Sequence, residues 1–349
     1  MHANLKELPA LVPRLPRVRP EPLHAVDAST SVVSEFDLIR TYFTRPTRHA
    51  VLGVGDDCAL LQVQPNNVLA VSTDMLIEGR HFFAHADPRQ LGHKCLAVNL
   101  SDLAAMGATP RWATLALALP AVDTAWLREF SAGLFALADR FELDLVGGDT
   151  TRGPLAICIT IAGEVPAAQS LRRAGARVGD ALWVSGSLGG AALALQCAQG
   201  AVHLNAEQQT AVNPCLHTPE PRVALGLALR GIATAAIDLS DGLCGDLGHV
   251  LTQSGVGATI AYANLPRHPV FHELQHTALE QQCVLAGGDD YELLFTAPSR
   301  AQRTIEQLAA THQLPLTQIG MITSADTGLV VRDAQGQRLP VPRSFDHFA

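Results

Sequence analysis

Apolar residues recur along this chain in two rhythms, and their alternation predicts the elements. Residues 35–43 read as a short helix, and 51–54 and 68–73 as β-branched, strand-like runs. Residues 88–106 carry apolar side chains at helical spacing and stop at Gly107. A strand is expected at 112–119. Over 124–141, Trp126, Phe130, Leu134, Leu137 and Phe141 fall three or four apart, the stripe of an amphipathic helix. Strands at 143–146 and 155–165 complete a first α+β domain. The polar stretch 166–179 marks the boundary. Beyond it, strands are expected at 181–185, 235–239 and 291–297, helices at 189–198, 242–253 and 300–310, and short strands to the C-terminus. Three regions follow: an extension over 1–33, an N-terminal domain over 34–165 and a C-terminal domain over 166–349.

Composition narrows the class. With 349 residues, 48% hydrophobic and 17% charged, the chain is long enough for two cores and is neither fibrous nor of disordered composition. No apolar run approaches the roughly 18 residues that a membrane helix needs. A net charge of −8 argues against a nucleic-acid surface. Seven cysteines lie far apart without a Cys-x-x-Cys pair, which fits reduced core thiols in a cytoplasmic protein. Residues 1–22 hold five prolines and several arginines but no continuous apolar core, so they read as a flexible extension rather than a signal peptide. Only Lys6 and Lys94 are lysines, and neither follows a Gly-rich phosphate loop.

The informative feature is a recurrence of aspartate. Six segments place acidic or hydroxyl groups where an apolar run ends: Gly53-Val-Gly-Asp-Asp57, Ser72-Thr-Asp74, Asn99-Leu-Ser-Asp102, Gly147-Gly-Asp-Thr150, Asp238-Leu-Ser-Asp241 and Gly287-Gly-Asp-Asp290. Each alone has an ordinary reading as a turn or a helix cap. Together, in a chain so poor in charge, they point to a shared site. Hard oxygen ligands suit Mg²⁺, which keeps waters and bridges to substrate phosphates. Metal would also stand in for the missing phosphate-loop lysine. Asp238 and Ser240, two apart on a strand, share a face; so do Asn99 and Asp102, three apart on a helix. Ser185-Gly-Ser-Leu-Gly-Gly190 lacks the dinucleotide spacing and reads as a tight turn. Arg172-Arg173 is open between a solvated pair and a phosphate clamp.

These segments, in this order, resemble the thiamine-monophosphate kinase family, within the superfamily of aminoimidazole ribonucleotide synthetase. The resemblance is carried by GVGDDCALL (53–61), STDMLIEGRHF (72–82), KCLAVNLSDLAAMGATP (94–110), GGDTTRGPL (147–155), IDLSDGL (237–243), GGDDYELLFT (287–296) and SFDHF (344–348). It implies an N-terminal α+β domain whose sheet pairs with its copy in a homodimer, and a C-terminal α/β sandwich. It implies transfer of a phosphoryl group from ATP to thiamine phosphate with several Mg²⁺ ions. Carried over by position, the metal ligands would be Asp57, Ser72, Thr73, Asp74, Asp102, Asp149, Asp238 and Asp241. ATP would meet Gly148, Asp149, Arg173 and Ser240, and the thiamine end would meet His81, Asp289 and Phe345. The family usually has Glu, one methylene longer, where this chain has Asp289. Ser131 stands where some relatives place an aromatic residue against the nucleotide, and it cannot stack.

The chemistry agrees with this. The acceptor is a phosphate monoester, already anionic near pH 7, so no general base is required. The obstacle is repulsion between two polyanions, relieved by bridging metals that hold them in line. Two alternatives share the same motifs: an enzyme of the superfamily that activates an amide or carboxyl oxygen with ATP, and a non-catalytic nucleotide-binding regulator. The acceptor end discriminates, and His81, Asp289 and the SFDHF tail favour thiamine phosphate.

Overall fold

The computed structural model describes residues 34–274 and 276–343. The expected extension over 1–33 and the candidate Phe345 lie outside them. In chain order the elements are α1 (Glu35–Leu38, running on as a π-helical turn, Ile39–Phe43), β1 (Asn67–Ile77), α2 (Pro88–Ala105), β2 (Thr109–Leu119), α3 (Thr124–Arg140), β3 (Asp144–Arg152) and β4 (Ala156–Pro166). Then come β5 (Ala181–Ser185), α4 (Gly190–Ala198), α5 (Ala206–His217), α6 (Val223–Ala228), β6 (Ala235–Asp238), α7 (Leu243–Ser254), β7 (Gly257–Ala261), α8 (Phe271–Leu274) and α9 (Thr277–Ala286). The chain continues through β8 (Leu293–Ala297), α10 (Gln302–His312), β9 (Leu316–Thr323), β10 (Leu329–Arg332) and β11 (Arg338–Leu339).

The strands form two sheets. The first runs β1-β4-β2-β3, antiparallel except for the parallel β2–β3 pair. The second is seven-stranded and mixed, in the order β11-β10-β7-β9-β5-β8-β6. Two apolar cores form: one built on α2, α3 and the first sheet and reaching one face of β5, β6 and β8, the other on α4, α7 and α9 against the second sheet. This is the two-domain α+β and α/β architecture that the sequence implied.

The helix α2 joins the halves. Asp87 caps its N-terminus, accepting from the Gln90 N–H at 2.8 Å, and Pro88 takes the first position, where no N–H is needed. It is buried on nearly every side, its polar Lys94, Asn99 and Ser101 included, packing on α3 and β1 in one domain and on α6 and β6 in the other. At that junction a Cβ on Gly226 would lie 2.1 Å from the Ala104 carbonyl oxygen, so α6 can approach α2 only because residue 226 is glycine.

Three expectations need correction. Strand β6 ends at Asp238, so Ser240, two residues on, lies past the strand and not on its face. Residues 51–54 are not a strand: only the isolated bridges Leu52–Leu60 and Val54–Asp56 form, because Gly53, Gly55 (φ +127°) and the following carboxylates break the ladder. The strand expected over 143–146 does not stop at Gly147. It continues through Gly-Gly-Asp-Thr to Arg152, with its register against β2 shifting between Ala113 and Thr114. Gly148 makes that path possible, since a Cβ there would sit 1.8 Å from the Leu115 carbonyl oxygen. Among the described residues, no helix is long and apolar enough to cross a membrane.

Candidate active site

The segments picked out by their aspartates converge at the junction of the two sheets. On β1 the alternation of a strand sends Ser72 and Asp74 toward α2 and Thr73 to the opposite face. The Ser72 hydroxyl donates a very short hydrogen bond to Asp102 on α2. The Asp74 N–H donates to Asn99 Oδ1 at 3.3 Å, so Asn99 and Asp102 do share the helix face that meets β1. From the same helix, Ser101 donates to Asp238 at the end of β6, 2.7 Å away. One strand, one helix and one strand of the other domain therefore hold three carboxylates close together.

That proximity is costly for charge. Burial, then the charge of Asp102, pushes the Asp74 carboxyl up to about 7. Burial, then Asp102, takes Asp238 up to about 8. Asp102 itself is raised by burial, against the opposing pull of the Ser72 hydroxyl and the Arg173 guanidinium. Arg173 belongs to a segment fixed beside β6, where the Arg172 carbonyl accepts from the Ala236 N–H at 2.8 Å and Ser254 Oγ donates to the Arg173 carbonyl at 3.0 Å. Of the two readings left open for the arginine pair, this favours a cation placed to face anions.

A cavity of about 800 Å³ lies between the domains. Its walls include Asp74, His81 and Lys94 from the first domain, and Ser240, Asp241 and Asp289 from the second. The His81 ring takes the Ile77 N–H on Nδ1 at 3.0 Å. Asp241 does not cap α7. Asp246, in the first turn of α7, reaches back and accepts from the Asp241 and Gly242 N–H groups at 3.0 and 3.1 Å, and the Asp241 side chain lines the cavity. The adjacent aspartates of Gly-Gly-Asp-Asp divide similarly. Asp290 is turned inward and takes the Gly189 N–H on both oxygens at 3.0 Å. The N-terminus of α4 is thus already occupied by a carboxylate, and the Ser185–Gly190 segment is the tight turn expected of it. Asp289 faces the cavity.

The remaining candidates are less closely joined. Asp57 is exposed on the loop before β1, and its N–H bonds only to its neighbour Asp56, at 2.9 Å. Asp144 holds that loop's base, accepting from the N–H groups of Arg48, His49 and Ala50. Gly148 and Asp149 lie within β3, level with Leu115 and Ala116 of β2, where Asp149 is exposed. The Thr73 hydroxyl meets Thr160 on the open face of the sheet at 2.9 Å, so any part it takes toward α2 falls to its backbone.

Several residues escaped the sequence reading: Ser101, Asp246, Tyr291 and above all Lys94. The lysine's Nζ lies 2.9 Å from Asp289 Oδ2. The signal available was one of the chain's two lysines standing within a helix that also carries Asn99 and Asp102.

Family models match both halves of the chain: the N-terminal domain of AIR synthase related proteins over residues 55–165, and the C-terminal domain of the same proteins over 177–332. A thiamine-monophosphate kinase of Salmonella typhimurium is 43% identical over 323 residues, 90% of this chain and 98% of the relative. The chain belongs to the thiamine-monophosphate kinase family. A crystal structure of the thiamine-monophosphate kinase from Stenotrophomonas maltophilia K279a superposes with a TM-score of 0.76 at 45% identity, covering 83% of this chain and 92% of that one. A second kinase of the family, AaThiL complexed with AMPPCP and TMP, matches with a TM-score of 0.72 at 27% identity, over 92% of this chain and all of that one.

Proposed function

We propose that the chain transfers the γ-phosphoryl group of ATP directly to thiamine phosphate, giving thiamine diphosphate and ADP. Membership of the kinase family makes it an ATP-dependent phosphotransferase. The observation that carries the finer reading is the interdomain cavity, which Asp74 of the carboxylate cluster lines together with Ser240, Asp241 and Asp289. A relative of the same fold is described in complex with an ATP analogue and TMP, which supports seating both substrates here.

Mg²⁺ suits the cluster. Asp74, Asp102 and Asp238 offer hard oxygens, and their raised proton affinities mark negative charge in want of a cation. Among the described residues, no group of three or more His, Cys, Asp or Glu side chains is arranged to hold a metal ion. Mg²⁺ would take one or two of these carboxylates and complete its shell with waters and phosphates. We assign the holding role to Asp57, Ser72, Thr73, Asp74, Asp102, Asp149, Asp238 and Asp241. When bound, such ions neutralise the phosphates and hold donor and acceptor in line.

The chain's own groups supply the rest. We assign Arg173, Ser240, Gly148 and Asp149 to the nucleotide, and His81, Asp289 and Phe345 to the acceptor. The monoester oxygen is anionic near pH 7 and attacks without a general base. Two domains bridged by a rigid helix fix the approach, which matters because effective concentration depends on alignment.

The first sheet also supports a homodimer. Its β1 edge presents Leu69, Val71, Met75 and Ile77 outward on the face away from α2, with Val71 58% and Met75 55% exposed. An open apolar strand edge invites a second copy.

The deciding experiment incubates the purified full chain with ATP, Mg²⁺ and thiamine phosphate and resolves the products chromatographically. Thiamine diphosphate and ADP should appear in equal amounts. ADP without thiamine diphosphate would defeat the assignment.

A further inference from the structure

Lys94 has no part in the reaction as laid out above, yet the fold treats it as no ordinary lysine. It is one of two in the chain and only 5% exposed, on the face of α2 that also brings Leu91 and Val98 to the cavity. An ammonium withdrawn from water persists only if it is paired. Its partner comes from the other domain: Nζ donates to Asp289 Oδ2 at 2.9 Å.

Asp289 is held from three directions. Lys94 takes one carboxylate oxygen, the Tyr291 hydroxyl donates to the other at 3.1 Å, and the Asp289 N–H donates to the Ser240 carbonyl at 2.9 Å. Its backbone is in the left-handed region (φ +66°), as is that of Tyr291 (φ +48°), a conformation that non-glycine residues rarely adopt. Asp enters that region more readily than Glu. The short side chain, its left-handed backbone and the lysine opposite make one arrangement in this chain.

We propose that Lys94 is a positioning residue, reaching across the domain junction to orient the Asp289 carboxylate that receives the organic end of thiamine phosphate. This rests on the functional reading above. Because the lysine neutralises the carboxylate, recognition there depends on where the oxygens point more than on a full negative charge. Losing the lysine should therefore loosen acceptor binding selectively and leave the nucleotide alone.

Steady-state kinetics on the full chain tests this, with wild-type turnover as the control for the functional reading. Lys94→Met, similar in length but uncharged, should raise the apparent KM for thiamine phosphate about tenfold. The KM for ATP and kcat should stay within about twofold. Lys94→Arg, which keeps the charge, should recover most of the loss. The double variant Lys94→Met/Asp289→Asn should be no worse than its weaker-binding parent, as expected of a pair that acts as a unit. Equal rises in both KM values, additive effects, or no recovery with Arg would overturn the proposal.

A second measurement reads ligand binding on the unmutated chain. With lysine labelled at Cε by ¹³C, only Lys6 and Lys94 give signals, and Lys94→Arg assigns them. Thiamine phosphate alone should shift the Lys94 signal, and AMPPCP alone should not. In an enzyme that makes thiamine diphosphate, a Lys94 signal indifferent to thiamine phosphate would overturn the proposal and leave the function intact.

Discussion

The carboxylate cluster works against the stability of the metal-free chain, and Asp74→Asn should reveal it. In the folded state burial and the neighbouring Asp102 carry the Asp74 carboxyl from 3.8 to about 7. The folded protein therefore holds a proton that the unfolded chain has already released. Between about pH 4 and 7 the native state binds more protons than the unfolded state, so stability falls as pH rises. At about 1.4 kcal/mol per pH unit, ionised Asp74 costs the metal-free fold at most about 4 kcal/mol at pH 8. Asparagine keeps the shape and removes the charge. The variant, stripped of metal with EDTA, should melt several degrees above wild type at pH 8, given about 2–4 °C per kcal/mol for a domain of 150–250 residues. Near pH 4 the two should melt together. Adding Mg²⁺ and AMPPCP should reverse the order, because only wild type gains fully from ligand binding. Turnover should collapse in the variant. A metal-free Asp74→Asn chain less stable than wild type at pH 8, or one with near-normal turnover at saturating Mg²⁺, would refute the reasoning.

Three further outcomes are expected. Glu292→Gln should cost about 3–5 kcal/mol in urea unfolding, because it breaks the two-pronged pair with Arg222 (2.7 and 2.5 Å) and leaves a part-buried guanidinium unmatched; a loss under 1 kcal/mol would contradict this. Gly226→Ala should destabilise by about 1–3 kcal/mol and lower turnover, since its methyl group would be driven into the Ala104 carbonyl and force α6 off α2; unchanged melting and activity would show that the junction yields. Val71→Asp should leave the monomer folded but unable to pair, read as a halved mass in light scattering; an unchanged mass would remove β1 from the interface.

Legibility followed periodicity. Helices α2 and α3 were readable nearly to their ends, because an apolar stripe, an aspartate cap and a stop at Gly107 or Phe141 agree. Helix α5 was not, since its polar run of Glu, Gln, Thr and Asn surrounds few apolar positions and contains Pro214. Helix α9 and strand β7 are short, and partners far along the chain stabilise them. The break at 51–54 and the continuous β3 show glycine acting in opposite directions. At Gly55 the backbone turns to a positive φ and the extended run breaks, whereas at Gly148 the missing side chain lets a strand pass against its neighbour. A Gly-Gly pair alone carries no sign of which it does.

The site was legible as chemistry and illegible as pairing. That several aspartates act together follows from their number in a chain with so little charge. Which of them meet depends on contacts across the sequence, such as Ser101 with Asp238, 137 positions apart, or Lys94 with Asp289, 195 apart. Asp289 and Asp290 make the limit plain. They are neighbours of the same type, yet one closes a helix N-terminus in the core and the other is turned into the cavity. The left-handed backbone at Asp289 separates them, and no alternation rule for a strand or helix anticipates it. The lysine follows from that turn. Once Asp289 faces the junction, the buried α2 helix opposite brings it a cation, one of the chain's two lysines, at position 94.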